Sequence, residues 1–368
     1  MKVKNLSLYN YRNYVKLNLE FKHNLNIFVG QNAQGKTNIL ESIYVGAMGR
    51  SHRTNTDQEL IHWYQPGGSI NMTFTRQDIE NKLSFKFISD QNKEIILNGQ
   101  TIKVRDLIGQ LNAVMFSPED LMLIKGAPVG RRKFLDSEIS QANPAYYRNL
   151  LQYNRIVAQR NNLLKKIREC KARPEMLDTW DAQIASSAAI IVNKRQDALK
   201  KLTMLANLMH RKITASRENL TITYFQCGLC QPVNHIEEWY LQQMANNRHI
   251  DIARGSTSVG PHRDDLIFNV NGINLRNFGS QGQQRTGVLA LKLAEIEFIK
   301  SETGEYPVLL LDDVMSELDA SRREQLLSFI KDRIQTFITA TEPKYFSEHK
   351  MGHYYSVVEG KVEQFDWK

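Results

Sequence analysis

Eight residues constrain this chain more than any others: Gly30-Gln31-Asn32-Ala33-Gln34-Gly35-Lys36-Thr37. At average residue usage, a chain of this length would match Gly-x4-Gly-Lys-Thr by chance on the order of one time in a hundred. The flanks narrow the reading further. Leu25–Val29 reads as a short strand and Asn38–Ala47 as a helix, so the octet is expected to turn a strand into a helix. Its glycines let the backbone curl with several N–H groups pointing inward, a cradle for phosphate. Lys36 brings a point charge for β- and γ-phosphates, and Thr37 a hydroxyl for Mg²⁺. All eight positions are therefore candidate nucleotide-binding residues.

Such a site needs a carboxylate at the end of a neighbouring strand. Val308-Leu309-Leu310-Leu311 is wholly apolar, as a buried parallel strand should be, and runs into Asp312-Asp313. Asp312 is expected to hold the metal. Asp313 is expected to polarise the attacking water and, with Lys36, to form the catalytic pair. About 30 residues earlier, Phe278-Gly279-Ser280-Gln281-Gly282-Gln283-Gln284-Arg285 opens a long amphipathic helix. Ser280, Gln281, Gly282 and Gln283 at that helix N-terminus make a second candidate phosphate surface.

The rest of the chain sets these motifs in order. Lys2–Tyr9, Val15–Phe21, Ile70–Thr75, Leu83–Ile88 and Glu94–Leu97 alternate apolar and polar residues, and Asn98-Gly99 marks a tight hairpin. From Tyr146 the apolar spacing becomes helical, with Arg160 standing where an apolar residue is due. A second helical series starts at Leu177 beyond Pro174, which predicts two antiparallel helices of roughly 25 to 35 residues. Strand pattern returns at Leu220–Phe225, a helix is expected at about His235–Asn246, and Asp265–Val270 leads back to strand and helix. The fold class predicted is α/β, a phosphate-loop ATPase head with mixed sheet interrupted by a mainly helical lobe. The expected divisions are 1–116, a helical insertion at 117–250, and 251–368.

Charge is distributed unevenly. The formal net charge is +9, from 48 Lys+Arg and 39 Asp+Glu. Ala145–Arg217 carries 15 basic and five acidic residues, leaving 33 basic and 34 acidic elsewhere. The helical insertion thus holds all the excess, and a polyanion surface is expected there. With 368 residues, 42% of them hydrophobic, the chain can bury more than one core. Its apolar runs are far shorter than the roughly 20 residues of a membrane helix, the start resembles no signal peptide, and three cysteines make no disulfide framework. A cytoplasmic protein without a membrane partner is expected.

Ser280–Gln283, followed by Asp312-Asp313 and then Ser316-Glu317-Leu318-Asp319, resembles the ABC-type ATPase head. The resemblance implies that the helix opened by Ser280 completes the ATP site of a second subunit, with Asp319 in a loop at the dimer interface. Ser-Gln-Gly-Gln-Gln departs from the Ser-Gly-Gly-Gln of transporters. Four further stretches narrow the match: Leu8–Tyr14, Gly130–Asp136, Gly260–Leu266 and Leu311–Asp319 together resemble the RecF family of bacterial recombinational repair. That resemblance implies an ATP- and Mg²⁺-dependent homodimer that binds single-stranded gaps or junctions in DNA and works with RecO and RecR in loading recombinase. Where ABC heads usually carry Glu after the metal-binding Asp, the shorter Asp313 suits slow turnover, and the resemblance implies a weak, DNA-dependent ATPase. The alternatives are a nucleotide-gated structural scaffold and the nucleotide-binding subunit of an ABC transporter.

Weaker signals remain. Cys227-Gly228-Leu229-Cys230 is half a zinc knuckle without its other half. His262-Arg263-Asp264-Asp265 is expected to bring Arg263 near phosphate, with metal binding as the alternative. Arg50, His52 and Arg53 could reach phosphate or DNA, and Gln58 is a candidate sensor. No histidine follows Phe337–Thr341, so Thr339 or Thr341 is expected to substitute for the switch histidine of many ABC proteins.

Overall fold

The alternating segments of the first hundred residues pair into one antiparallel sheet in a computed structural model that describes residues 1–228, 235–343, 346 and 352–365. Its strand order is Tyr14–Glu20, Lys2–Tyr11, Gly67–Arg76, Ile79–Ile88, Glu94–Leu97, Gln100–Ile102. One face buries Leu6, Leu8, Ile70, Met72, Phe74, Leu83 and Phe85, which is what period-2 alternation demands. Asn98 and Gly99 hold φ of 51° and 83°, the two positive angles of a type I′ hairpin turn.

A second six-stranded sheet belongs to the same unit, which comprises Met1–Asp120 and Glu295–Lys368. Its order is Lys361–Phe365, His353–Val358, Leu25–Val29, Thr336–Ala340, Val308–Asp312, Ala113–Phe116. All neighbours but the first pair run parallel. Parallel strands covered on both faces need continuous apolar sequence, and every residue of Val308–Asp312 and Thr336–Ala340 is buried. The helix Lys36–Met48 starts at the end of Leu25–Val29 and buries Ile39, Leu40, Ile43, Val45 and Ala47.

The other unit, Leu121–Ala294, is mainly helical. Its hairpin consists of Pro144–Arg168 and Leu177–Ile213, joined through a short 3₁₀ turn at Pro174–Met176. Asn143 caps the first helix, its side chain accepting from the Ala145 and Tyr146 N–H groups, with Pro144 at the first helical position. The second helix has 37 residues, about 55 Å at 1.5 Å per residue. Leu163, Leu164, Ile167 and Leu177 pack together at the hairpin tip.

Arg160, in its apolar slot, is fully buried. Its Nε donates to Asp181 Oδ1 and its Nη1 to Asp251 Oδ2, each at 2.6 Å, and Nη1 also reaches Thr257 Oγ1 at 3.0 Å. Arg195 is buried likewise, bidentate to Asp136 and 2.6 Å from the Pro261 carbonyl. Two cations of the basic segment thus serve the core, and only the others are available at the surface.

Residues 251–294 lie within the helical unit, whereas the sequence reading divides the chain at 250/251. Two elements account for the difference. The helix expected to end near Asn246 runs Ile236–Arg254, and Asp265–Val270 pairs along its whole length with Leu220–Phe225. Among the described residues, no helix is long and apolar enough to cross a membrane.

Candidate nucleotide site

The phosphate loop leaves Val29, and the Gly30 N–H donates to Ala340 on the next strand at 3.3 Å. Gly35 holds φ 110°, and a Cβ there would lie 2.8 Å from the Tyr14 hydroxyl, so both conformation and space demand glycine. Lys36 and Thr37 open the helix. Lys36 Nζ donates to the Gly30 and Gln31 carbonyls at 2.7 and 2.8 Å, folding the charge back over its own loop. Burial lowers the Lys36 pKa, while Asp313 and Asp312 pull it upward.

Thr37 Oγ1 donates to Asp312 Oδ1 at 2.8 Å, joining the loop to the acidic strand across 275 residues of sequence. The strand carrying Asp312 is not adjacent to that of the loop: Thr336–Ala340 lies between them. Thr339 fills the gap. Paired in register with Asp312 and with Phe28, and fully buried, it donates to Asp312 Oδ1 at 2.7 Å and accepts from the Asp313 N–H at 2.9 Å. It therefore positions both acids. Asp313 turns out of the strand in a left-handed conformation, φ 53°. Desolvation raises its pKa from the ordinary carboxylate value, and Lys36 only partly opposes this.

The donor set suits Mg²⁺. A carboxylate and a hydroxyl at hydrogen-bond distance are hard oxygens, too few for an all-protein cage but enough for an ion that also takes phosphate oxygens and water. Zinc-type donors are missing, since no group of three or more His, Cys, Asp or Glu that could hold a metal occurs among the described residues.

A second layer holds the loop in shape. Asn13 Nδ2 donates to the Gln34 carbonyl and the Tyr14 hydroxyl to the Gly35 carbonyl, each at 3.1 Å. Asn38 Nδ2 donates to Asn13 Oδ1, and the Glu359 N–H to Gln34 Oε1. Arg12 grips the buried Glu41 through two bonds, of 2.9 and 2.6 Å. Asn13, Asn38 and Glu41 carry no motif signature, so sequence reasoning missed them. The one available cue was that Leu8–Tyr14 matches the family.

Ser280–Gln283 belongs to the helical unit. The Ser280 N–H donates to Gln283 Oε1 at 3.0 Å and the Gln283 N–H to Ser280 Oγ at 3.2 Å, a reciprocal capping box. Gln283 Nε2 also donates to Glu218 at 2.8 Å. Ser280, Gln281 and Gly282 are exposed. In the ATPase unit, Asp319 caps Ala320–Ile330 through the Arg322 N–H and pairs with the Arg322 guanidinium.

Several of the weaker candidates have partners within the protein. Arg263 is exposed and donates from Nε and Nη2 to the Thr257 carbonyl, at 3.1 and 2.8 Å. His262 Nδ1 lies 2.5 Å from the Tyr153 hydroxyl, Asp264 accepts from Tyr224 at 2.6 Å, and Asp265 is bidentate with Arg131. Burial pushes the His262 pKa down to about 4. Gln58 donates to Asp90. His52 packs edge-on against Tyr44, and Arg53 donates to Asn38 Oδ1. Cys230 lies outside the described residues; the Cys227 N–H donates to Asp264.

A strand-loop-helix phosphate site beside a parallel strand ending in two acids defines the class, and residues 2–363 match the family described as the RecF/RecN/SMC N terminal domain. An Smc head domain from Pyrococcus furiosus, at 16% identity and TM-score 0.58, shares the fold over 99% of this chain and 96% of that one. Within the class the match is closer. The DNA replication and repair proteins RecF of Clostridium tetani and Alkaliphilus oremlandii are each 46% identical, over 93% of this chain and 93% of theirs. A structure of the recombination mediator protein RecF with ATP, from the RecFOR pathway, superposes with TM-score 0.92 at 37% identity, covering 99% of this chain and 97% of that one. The chain belongs to the RecF family, a branch of the ABC-type ATPases.

Proposed function

We propose that this chain is an ATP-gated DNA-binding protein of recombinational repair, a recombination mediator with weak, DNA-stimulated ATPase activity. The observation that carries the reading is the Thr37–Asp312–Thr339 chain of hydrogen bonds beside Lys36, whose ammonium rests on carbonyls that a triphosphate can replace. Gly30 to Gly35 cradle the phosphates with backbone N–H groups, and Lys36 contacts the β- and γ-phosphates. Thr37 and Asp312 hold Mg²⁺, which when bound neutralises charge on the phosphate oxygens. Asp313 accepts a proton from the attacking water. Its raised pKa strengthens it as a base, and its short side chain keeps turnover slow.

Ser280, Gln281, Gly282 and Gln283 of a partner subunit complete the site, with Asp319 at the shared interface, so ATP closes a homodimer. The exposed cations of the hairpin, Lys165, Lys166, Lys200 and Lys201 among them, meet the phosphates of single-stranded gaps or junctions in DNA. RecO and RecR are the expected partners in loading recombinase, in keeping with the RecFOR pathway of the structural relative.

Lys36→Ala tests the nucleotide half. With no side-chain cation on the β- and γ-phosphates, affinity for a fluorescent ATP analogue should fall at least tenfold, and near-normal affinity would make the loop structural.

A further inference from the structure

Two aromatic side chains stand almost free of the protein: Trp63 is 82% exposed and Tyr64 102%. Large rings belong in a core or an interface, yet the fold makes no use of these. Their backbone is firmly held. The His62 N–H donates to the Asn10 carbonyl at 2.8 Å, and His62 Nδ1 lies 2.7 Å from the Arg12 carbonyl oxygen. The Gln65 N–H reaches the His62 carbonyl at 3.1 Å, and the Ser89 N–H reaches Pro66 at 3.0 Å. Tyr64 itself holds φ 63°, a left-handed conformation that costs a bulky side chain energy and marks functional turns.

The turn is anchored on Arg12, whose guanidinium pairs with the buried Glu41. Glu41 also accepts from Ser51 and lies 3.8 Å from Arg53, and Arg53 bonds Asn38 in the first turn of the phosphate-loop helix. The exposed Arg53 is thus linked, through the buried Glu41 and the half-buried Arg12, to the turn that carries the two exposed rings, and the exposed Arg50 stands three residues before Arg53 in the chain. Of the carboxylates on the intervening turn, Asp57 is neutralised by Lys93 at 2.8 Å, leaving Glu59. A protein-docking patch would be contiguous and apolar. Here the neighbours of the rings along the chain, Gln58, His62 and Gln65, are polar instead.

Flat rings open to solvent, on a turn linked to exposed cations, suit unpaired bases, whose faces are free to stack, and not a duplex, whose base faces already stack on one another. We propose that Trp63 and Tyr64 form a stacking platform for single-stranded nucleic acid, with Arg50 and Arg53 contacting the adjoining phosphates. The proposal rests on the DNA-binding reading above and names where an unpaired strand would lie.

The test uses the full-length protein with a labelled oligothymidylate and a blunt duplex. Fluorescence anisotropy reports affinity, and tryptophan emission reports the ring. Oligothymidylate should quench the emission of the parent protein but not the part remaining in Trp63→Phe, which isolates the Trp63 signal from the other tryptophans. Trp63→Ala and Tyr64→Ala should each weaken oligothymidylate binding about five- to tenfold, with Trp63→Phe and Tyr64→Phe close to the parent and duplex affinity within about twofold. Unchanged oligothymidylate affinity in the Trp63→Ala, Tyr64→Ala double variant would overturn the platform, and so would an equal loss on duplex. A Trp63 emission change on adding ATP without DNA would assign the rings to a contact between subunits and overturn it as well. If the parent protein binds neither DNA, the DNA-binding reading falls and takes the platform with it; DNA binding with a silent Trp63 defeats the platform alone.

Discussion

The phosphate loop and the helical hairpin both present charged clusters, and they differ in what those charges can be exchanged for. Lys36 rests on two carbonyls of its own loop, and Asp312 accepts hydrogen bonds from two threonine hydroxyls, all bonds that a phosphate or a cation can replace. Arg160 is instead fixed between two buried carboxylates, and Arg195 between the half-buried Asp136 and the Pro261 carbonyl, with the two arginines at 0% and 2% exposure. A charge whose partners lie along a loop can serve a ligand. One whose partners are buried carboxylates from distant segments serves the fold, because losing either partner leaves a desolvated charge. The same contrast separates Asp312-Asp313 from Asp264-Asp265, two acidic pairs that read alike in sequence.

Breaking the buried side should have the largest effect. Arg160→Ala strands Asp251 and leaves Asp181 with Arg248 alone, and should cost about 3–5 kcal/mol in urea unfolding followed by far-ultraviolet circular dichroism. Lys36→Ala should change stability by less than about 1 kcal/mol in the same experiment. If the two variants cost the same, the distinction between exchangeable and fixed charge collapses.

Acid should separate the two regions next. His262 is held neutral, with its pKa lowered to about 4. The unfolded chain, near 6.5, binds the proton first, so stability is complete above pH 6.5 and is lost as pH falls toward 4. That gap corresponds to about 3 kcal/mol. Denaturation at pH 7 and pH 4.5 should show the loss, and His262→Gln should remove most of the difference between the two pH values. An unchanged pH dependence in that variant would place the acid sensitivity elsewhere.

The smallest effect on stability, and the sharpest on DNA, concerns the exposed cations of the hairpin. Reversing Lys165, Lys166, Lys200 and Lys201 to Glu should shift stability by less than about 1 kcal/mol. On duplex DNA the log–log salt slope should shrink by about 0.9 for each phosphate that the variant no longer neutralises. An unaltered slope would move the DNA surface to the ATPase unit, where Arg50 and Arg53 are exposed.

Much of this contrast could be read from sequence, for a physical reason. The phosphate loop, the Asp312-Asp313 strand end and the helix start at Ser280 are local, so spacing alone reveals them. The hairpin was legible through its period, up to the break at Pro174. What escaped was set by long-range register. Thr339, expected only as one of two substitutes for a switch histidine, positions both acids because its strand slots between Leu25–Val29 and Val308–Asp312. Arg160 looked like a fault in the apolar stripe because Asp251, its partner, lies 91 residues away. His262–Asp265 looked like a site because nothing local announces Tyr153, Tyr224 or Arg131 as its partners.

The central claim is that ATP joins the loop at Lys36 to the helix at Ser280 across two subunits. Size-exclusion chromatography with light scattering, with and without ATP, tests it on three proteins: the parent, Ser280→Arg and Asp313→Asn. The account predicts that Ser280→Arg binds ATP and stays monomeric, because the added side chain blocks the partner's γ-phosphate. Asp313→Asn keeps Asp312 but loses the base, so its ATP-bound dimer should accumulate and persist longer than that of the parent. A Ser280→Arg protein that still dimerises with ATP, or an Asp313→Asn protein that stays monomeric, would contradict it.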